Sequence, residues 1–599
     1  MPFDLSGKPP VKNSAELQRV LALPRRAVPA ERDLVPIADR VVQMLGRPPG
    51  PCRCAEMGRQ CIRRPRPVQA WTLYELEHVG GILGFIAVGA GKSFLDLLAP
   101  LVVRDCRVAL LLVPPTLVDQ IVFDYHLVGQ HFRVPTLVVH RSSRSRERSS
   151  YSSPDPGVPV LHVLPYSRLS LPESTTWLEG LKPDLIIADE ADKLCEVDGA
   201  GAGRVARYQA NHPATRFCFW SGSLTDKSLL DWGHLATWAL RAGSPLPWQN
   251  AQVLEEWASA YDAVPYPRPP GALMALCRPG ESPREGLRRR IQETWGVVHS
   301  EEAPVSAAIV VREKTAPPVP PEVRDALKEL REKMVRPDGE ELLDALTVAK
   351  SARELACGFF YYWYYPAVRG VPQQRATIEA WFAARKAWMK ELRVRLARRE
   401  EHLDSEFLCT KAAMRYHGQD TSPGPAWASV HWPRWSEVKD TVVHETRAQR
   451  LHPYLVEDAA AWAHANRGIV WYDTREFGAW LAEVSGLPLH GGGAGAGARI
   501  LAERGRSSII ASIASHGRGR DGLQFHFADQ LVVEPPSSSK RWEQLLGRLH
   551  RPGTKATTIT ALWYAHVPEL RAAMDQALER ARYVSETIGA GQKILAGMK

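Results

Sequence analysis

Two short stretches carry residue types suited to phosphate chemistry. Ala87 to Ser93 read AVGAGKS and follow the apolar run GILGFI. A strand, a glycine turn and a helix opening on Lys-Ser make a phosphate cradle. Its backbone N–H groups point at the anion from the turn and from the helix N-terminus. Gly89, Ala90 and Gly91 shape the turn. Lys92 is placed to bridge β- and γ-phosphates, and Ser93 to ligate magnesium. The long form of this pattern has glycine six positions before the lysine. Ile86 stands there, so the motif takes the shorter Gly-x-Gly-Lys-Ser form; the competing reading is a glycine turn with an incidental lysine. Further along, DLIIADEADKL (Asp184 to Leu194) ends an apolar run on paired acids. Asp189 suits the magnesium ion, and Glu190 suits orienting and deprotonating an attacking water. Taken alone, two acids at a strand end are only a solvated turn; the upstream lysine loop gives them a function.

A third stretch, WEQLLGRLHRPG (Trp542 to Gly553), contains Gln544, Gly547, Arg548 and Arg551 in the spacing Gln-x-x-Gly-Arg-x-x-Arg. Arginines supplied from a second domain can stabilise transition-state charge on a γ-phosphate. Arg551 is the candidate finger, with Arg548 beside it; the competing reading is a surface charge run. Upstream, Gly522 and Gln524 lie in DGLQF, a turn after a strand.

Such side chains need rigid elements behind them. Short apolar runs between about 64 and 240 (ILGFIAV, RVALLLVPP, TLVVH, VLHVLPY, DLIIAD, RFCFWSG) read as buried strands of a parallel sheet. Residues 468–564 repeat the style with GIVWY, LPLHGG, SSIIASIAS, QLVVEPP and TTITALWYA. The expected class is α/β, with an N-terminal extension 1–63, a first block 64–240, a mainly helical insertion 241–450 and a second block 451–599. A length of 599 residues fits this division, at about 100–200 residues per domain.

With these motifs in order, the chain resembles a superfamily 2 helicase, and within it the Snf-type branch of DNA translocases related to chromatin remodellers, in its viral or bacterial forms. RPVQAWTL is similar to that branch's first motif, in which Gln69 reads adenine. LLLVPPTLVDQ, LPYSRL, FWSGSLTDKSLLDW, DGLQF and QLLGRLHRPG resemble its later motifs. Leu224 stands for the family's proline and Gln524 for its asparagine. The resemblance implies a P-loop NTPase of two RecA-like domains. ATP and Mg2+ would lie in their cleft, with Gln69, Gly522 and Gln544 lining the nucleotide site. It also implies an ATP hydrolase moving on DNA, duplex favoured over RNA. The tetrad Asp189-Glu190-Ala191-Asp192 spells the name of an RNA helicase family, but the surrounding motifs follow the DNA branch. Asp192 varies within superfamily 2 and receives no role. The alternatives are an RNA helicase and a nucleotide-gated clamp with little turnover.

Composition sets bounds. A hydrophobic share of 45% and a charged share of 24% are those of a globular protein, and net charge +10 suits a polyanionic partner. No run of about 18 apolar residues suggests a membrane span. MPFDLSGKPPVKNS has no apolar core, so no signal peptide and a cytoplasmic location are expected.

Cys52, Cys54 and Cys61 crowd into PCRCAEMGRQC. They read as ligands of zinc, or less readily of an iron–sulfur cluster, with a fourth ligand not apparent nearby. The competing reading is an Arg-rich loop with reduced thiols. In the middle, GFFYYWYYP reads as core or as a base-stacking platform. The basic helix around Arg385–Arg399 reads as a phosphate contact or as a solvated face. HGGGAGAGAR reads as a loop.

Overall fold

The computed structural model describes residues 8–598 except 57–60, 88, 141–147, 196–198, 223, 265, 301–304, 365–371, 399, 401, 443, 494 and 518–521. Two sheets organise these residues. The first holds β1 (Ile82–Phe85), β2 (Val108–Val113), β3 (Thr136–His140), β4 (Arg148–Tyr151), β5 (Val160–Pro165), β6 (Leu185–Asp189), β7 (Arg216–Trp220) and β8 (Val297–His299). Their order is β4-β3-β5-β2-β6-β7-β1-β8, parallel except for the β3–β4 pair. The second holds β9 (Ala308–Lys314), β12 (Gly468–Tyr472), β13 (Leu489–His490), β14 (Ile509–Ser512), β15 (Asp529–Val532) and β16 (Thr558–Tyr564). Its order is β13-β14-β12-β15-β16-β9, parallel throughout. A small antiparallel pair, β10 (Phe359–Tyr364) with β11 (Glu445–Arg450), stands apart.

Central strands are continuous apolar runs because both faces are covered. Leu110 and Leu112 of β2 enter one core, and Ala109, Leu111 and Val113 enter the opposite one. Val470 and Tyr472 of β12 likewise part from Ile469 and Trp471. The alternation is the two-residue period of a strand, with helices on each side.

The stretch 241–450 is more than a helical spacer: it gives an edge strand to each sheet. β8 pairs with β1, and β9 pairs with β16. Its first helices join the first core through Trp257, Tyr261, Leu287 and Ile291. Pro321–Lys333 and Ala345–Ala356 join the second through Val323, Leu327 and Leu355. β8 is three residues long, and β9 is mostly exposed or half-buried. Neither shows the apolar signature of a central strand. The β10–β11 pair joins the second core through Phe359 and Phe360, and what remains is three helices, Pro372–Leu396, Glu406–Tyr416 and Trp432–Val438, around a tryptophan core of Trp388, Trp427 and Trp432.

The N-terminal extension is also built in. Leu17 and Val20 of the helix Ala15–Ala22 enter one face of the first core, and Leu34, Val41 and Leu45 of Glu31–Leu45 the other. The C-terminal helix Pro568–Thr587 joins the two units. Leu570, Met574, Ala577 and Ala581 lie in the second sheet's cores, and Tyr583, Val584 and the following Ile588 in the first's.

Candidate functional site

The expected phosphate turn leaves β1 and enters the helix Lys92–Val102. Gly89 and Gly91 have φ of 88° and 81°, which L side chains rarely adopt. A Cβ on Gly91 would stand 2.4 Å from Gln69 Nε2, so besides straining φ it would push that side chain off the turn. Gln69 grips the turn from the side. Its Nε2 donates to the carbonyls of Ala90 (3.2 Å) and Gly91 (3.0 Å), and its Oε1 accepts from Arg66 N at 2.8 Å. The Arg66 guanidinium donates to the Gly89 carbonyl. Ser93, half-buried, occupies the first turn of the helix.

β6 brings the paired acids to the same end of the sheet. Lys92 Nζ meets Glu190 Oε1 at 2.9 Å. β7 lies between β6 and β1, and Ser221, just past its end, places Oγ 3.5 Å from Glu190 Oε2. Glu190 holds φ of 53°, a left-handed value costly for a residue with a Cβ and common at working sites. Asp189 is 3% exposed. Burial pushes its carboxyl up to about 7, against the pull of Lys92. Lys92 is raised in spite of burial, because Glu190 and Asp189 face it.

Two supporting residues were not singled out from sequence. Asp96, fully buried, accepts from Trp220 Nε1 at 2.9 Å, and burial raises its carboxyl well above the usual range. Tyr166 donates to the Asp189 carbonyl at 3.0 Å. An acid inside the apolar run FLDLL was the readable signal for Asp96.

The second unit reaches this end through the helix Ser539–Leu549. Lys540 Nζ pairs with Asp192 Oδ2 at 2.8 Å, and that side chain is 3% exposed. Ser538 donates to Asp226 Oδ2 at 2.6 Å, and Arg580 lies 3.8 Å from the same oxygen. The fourth residue of the tetrad, Asp192, thus has a partner in the other unit. Arg548, buried, lies about 12 Å further along the helix axis than Lys540. Its Nε donates to the Gln544 carbonyl at 3.1 Å, and Gln544 is buried as well. Arg551, 9% exposed, follows the helix in the turn that ends with Gly553 at φ 89°. Gly522 has φ of 125° and donates its N–H to Gln524 Oε1 at 2.9 Å. Ser223 and Asp521 fall outside the described residues.

The cysteines gather at a second site. Cys52, Cys54 and Cys61 meet His131, and the four ligand atoms lie within 4.8 Å of one another. This group could hold a metal ion such as zinc. The fourth ligand escaped the sequence reading because it stands 77 residues from Cys54. Burial, then Arg63, lower the His131 imidazole, which keeps it in the neutral form that ligates metals.

Other expectations resolve through packing. Phe359 and Phe360 are core, while Trp363 and Tyr364 are each 37% exposed. On the basic helix Pro372–Leu396, Arg385 pairs with Glu340, Arg393 with Glu341 and Arg395 with Glu400. Each of these three arginines has a carboxylate partner in the chain, and the Arg393–Glu341 pair is exposed. Of the glycine run, residues 491–493 and Gly495 lie in the connection after β13, whereas residues 496–499 begin the helix Ala496–Ala502. Among the described residues, no helix is long and apolar enough to cross a membrane. No protein-family model matches this chain, and no curated protein matches it.

Proposed function

We propose that this protein is an ATP-driven motor on DNA, a superfamily 2 translocase or helicase of the Snf type with two RecA-like units. The observation that carries the reading is the Lys92–Glu190 contact of 2.9 Å between the phosphate turn and the paired acids. A glycine turn at a helix N-terminus, a lysine and two strand-end carboxylates on parallel strands one apart are the parts that ATP hydrolysis requires.

In this arrangement Lys92 neutralises phosphate charge, and Gln69 holds the turn that cradles it. Ser93 and Asp189 are the residues that would hold magnesium. When bound, the ion would supply charge neutralisation to the phosphates. Glu190 accepts the proton of the attacking water. Lys92 pairs with Glu190 at 2.9 Å. Arriving phosphates compete for the lysine and so release the base, which ties its activation to binding. Arg551 and Arg548 are proposed for charge stabilisation on the second unit's side. Lys540–Asp192 and Ser538–Asp226 are contacts that opening and closing of the units would strain. Duplex DNA is the proposed track, held mainly through phosphates.

The test is steady-state ATP hydrolysis with duplex DNA, single-stranded DNA and RNA, alongside strand displacement. Stimulation by duplex DNA supports the proposal. Stimulation by RNA alone makes it an RNA helicase, and nucleotide-dependent DNA binding without turnover makes it a clamp; either outcome overturns the reading.

A further inference from the structure

We infer that Cys52, Cys54, Cys61 and His131 form a closed zinc site that staples the arm before the helix Pro67–Val79 to the body of the first sheet. The distances suit a single tetrahedral ion. Zn–S of about 2.3 Å and Zn–N of about 2.0–2.1 Å place neighbouring sulfurs about 3.8 Å apart and sulfur and nitrogen about 3.5 Å apart. Cys52 Sγ and Cys61 Sγ are 3.9 Å apart; His131 Nε2 is 3.6 Å from Cys61 Sγ and 3.1 Å from Cys54 Sγ. A cage with all four atoms within 4.8 Å surrounds one ion, not a multi-iron cluster. Three thiolates and one imidazole are a common structural zinc set, and they leave no coordination position open for substrate.

The surroundings fix the ligands. Arg47 N donates to the His131 carbonyl at 2.7 Å, and Arg133 N to the Leu45 carbonyl at 2.8 Å. Arg53 N donates to Gln130 Oε1 at 2.7 Å. The arm is therefore held to the turn after the helix Val118–Val128 just ahead of Cys52 and again between Cys52 and Cys54. It then runs on to Arg66 and Gln69, which grip the phosphate turn. Metal binding replaces three thiol protons with one zinc ion and releases those protons to solvent. Two consequences follow. The arm loses order when the metal is removed. Nucleotide affinity also falls, and this second consequence rests on the ATP reading above.

The experiment uses the full-length protein. Elemental analysis should find one zinc per chain. Replacement with Co2+ should give thiolate-to-cobalt charge-transfer bands and the visible bands of a tetrahedral site. His131→Ala should weaken zinc binding at least roughly 100-fold. His131→Cys should keep the metal and strengthen the charge-transfer bands, and Cys106→Ser should leave the stoichiometry at one. The inference is overturned by absent zinc with absent cobalt bands. It is also overturned by a Cys52–Cys61 disulfide in thiol-blocked mass spectra, or by unaltered affinity in His131→Ala. If zinc binds and its removal leaves the affinity for a fluorescent ATP analogue unchanged, the metal site stands and the link to the nucleotide site fails.

Discussion

Glu190 is the residue on which the proposed chemistry turns. It is held at positive φ, paired with Lys92 and within reach of Ser221. Glu190→Gln keeps the shape and removes the base. Turnover should fall by about 10²–10⁴-fold while a fluorescent ATP analogue still binds; unchanged turnover removes Glu190 from the base role. Asp189 makes a separate prediction through pH. Its carboxyl is raised in the fold to about 7 from an ordinary value of 3.8. Protonation is thus favoured by folding. The stability it contributes is complete below the unfolded value and is lost as pH rises through about 7. Between pH 5.5 and 8 the metal-free protein should lose thermal stability relative to Asp189→Asn, measured by parallel melts. A constant difference between the two would show that Asp189 is already ionised across that range. Gly91→Ala tests the turn itself: the added methyl strains φ and meets Gln69, so nucleotide binding should drop even where the fold survives.

The helix Ser539–Leu549 is the element through which the second unit reaches the acids. Its first turn supplies Lys540 to Asp192, whose side chain is 3% exposed. Lys540→Ala removes a charge partner from a buried carboxylate, at a cost of about 3 kcal/mol in unfolding free energy. Adding Asp192→Asn should recover much of that loss. A double-mutant cycle read by denaturant melts checks the coupling, and strictly additive losses would show the pair to be incidental. The helix Pro372–Leu396 illustrates the converse. Its arginines look like a polyanion contact in sequence, yet Arg385, Arg393 and Arg395 find carboxylates in the same chain. Arg385 also lies over the Trp363 ring at 4.7 Å. Charge density along one helix does not reveal what packs against it.

At the scale of the molecule, the C-terminal helix crosses from the second unit's cores to the first's and ends with Tyr583 donating to Asp262 at 3.0 Å. The two sheets are thus tied by a covalent and packed route as well as by Lys540. If DNA is the track, as proposed, the net charge of +10 predicts a strong salt dependence of its binding. The logarithm of affinity should fall linearly with the logarithm of salt, at about 0.9 per phosphate neutralised on duplex. Fluorescence anisotropy across a salt series measures the slope, and a flat response would exclude phosphate contacts as the main grip.

The central strands and the glycine turn before Lys92 were legible in the chain itself. Burial on both faces demands continuous apolar runs, and the turn demands glycine where φ is positive. β8 and β9 were not legible: edge strands are short or half-exposed and carry no such signature. The paired acids could be read because Asp189 and Glu190 are adjacent at a strand end. Their contact with Lys92 depends on β6, β7 and β1 lying side by side, and strand order is set by tertiary packing. His131 and Lys540 were hidden for the same reason. Each lies far in sequence from the group it meets, and only the folded chain brings sulfur to imidazole and ammonium to Asp192.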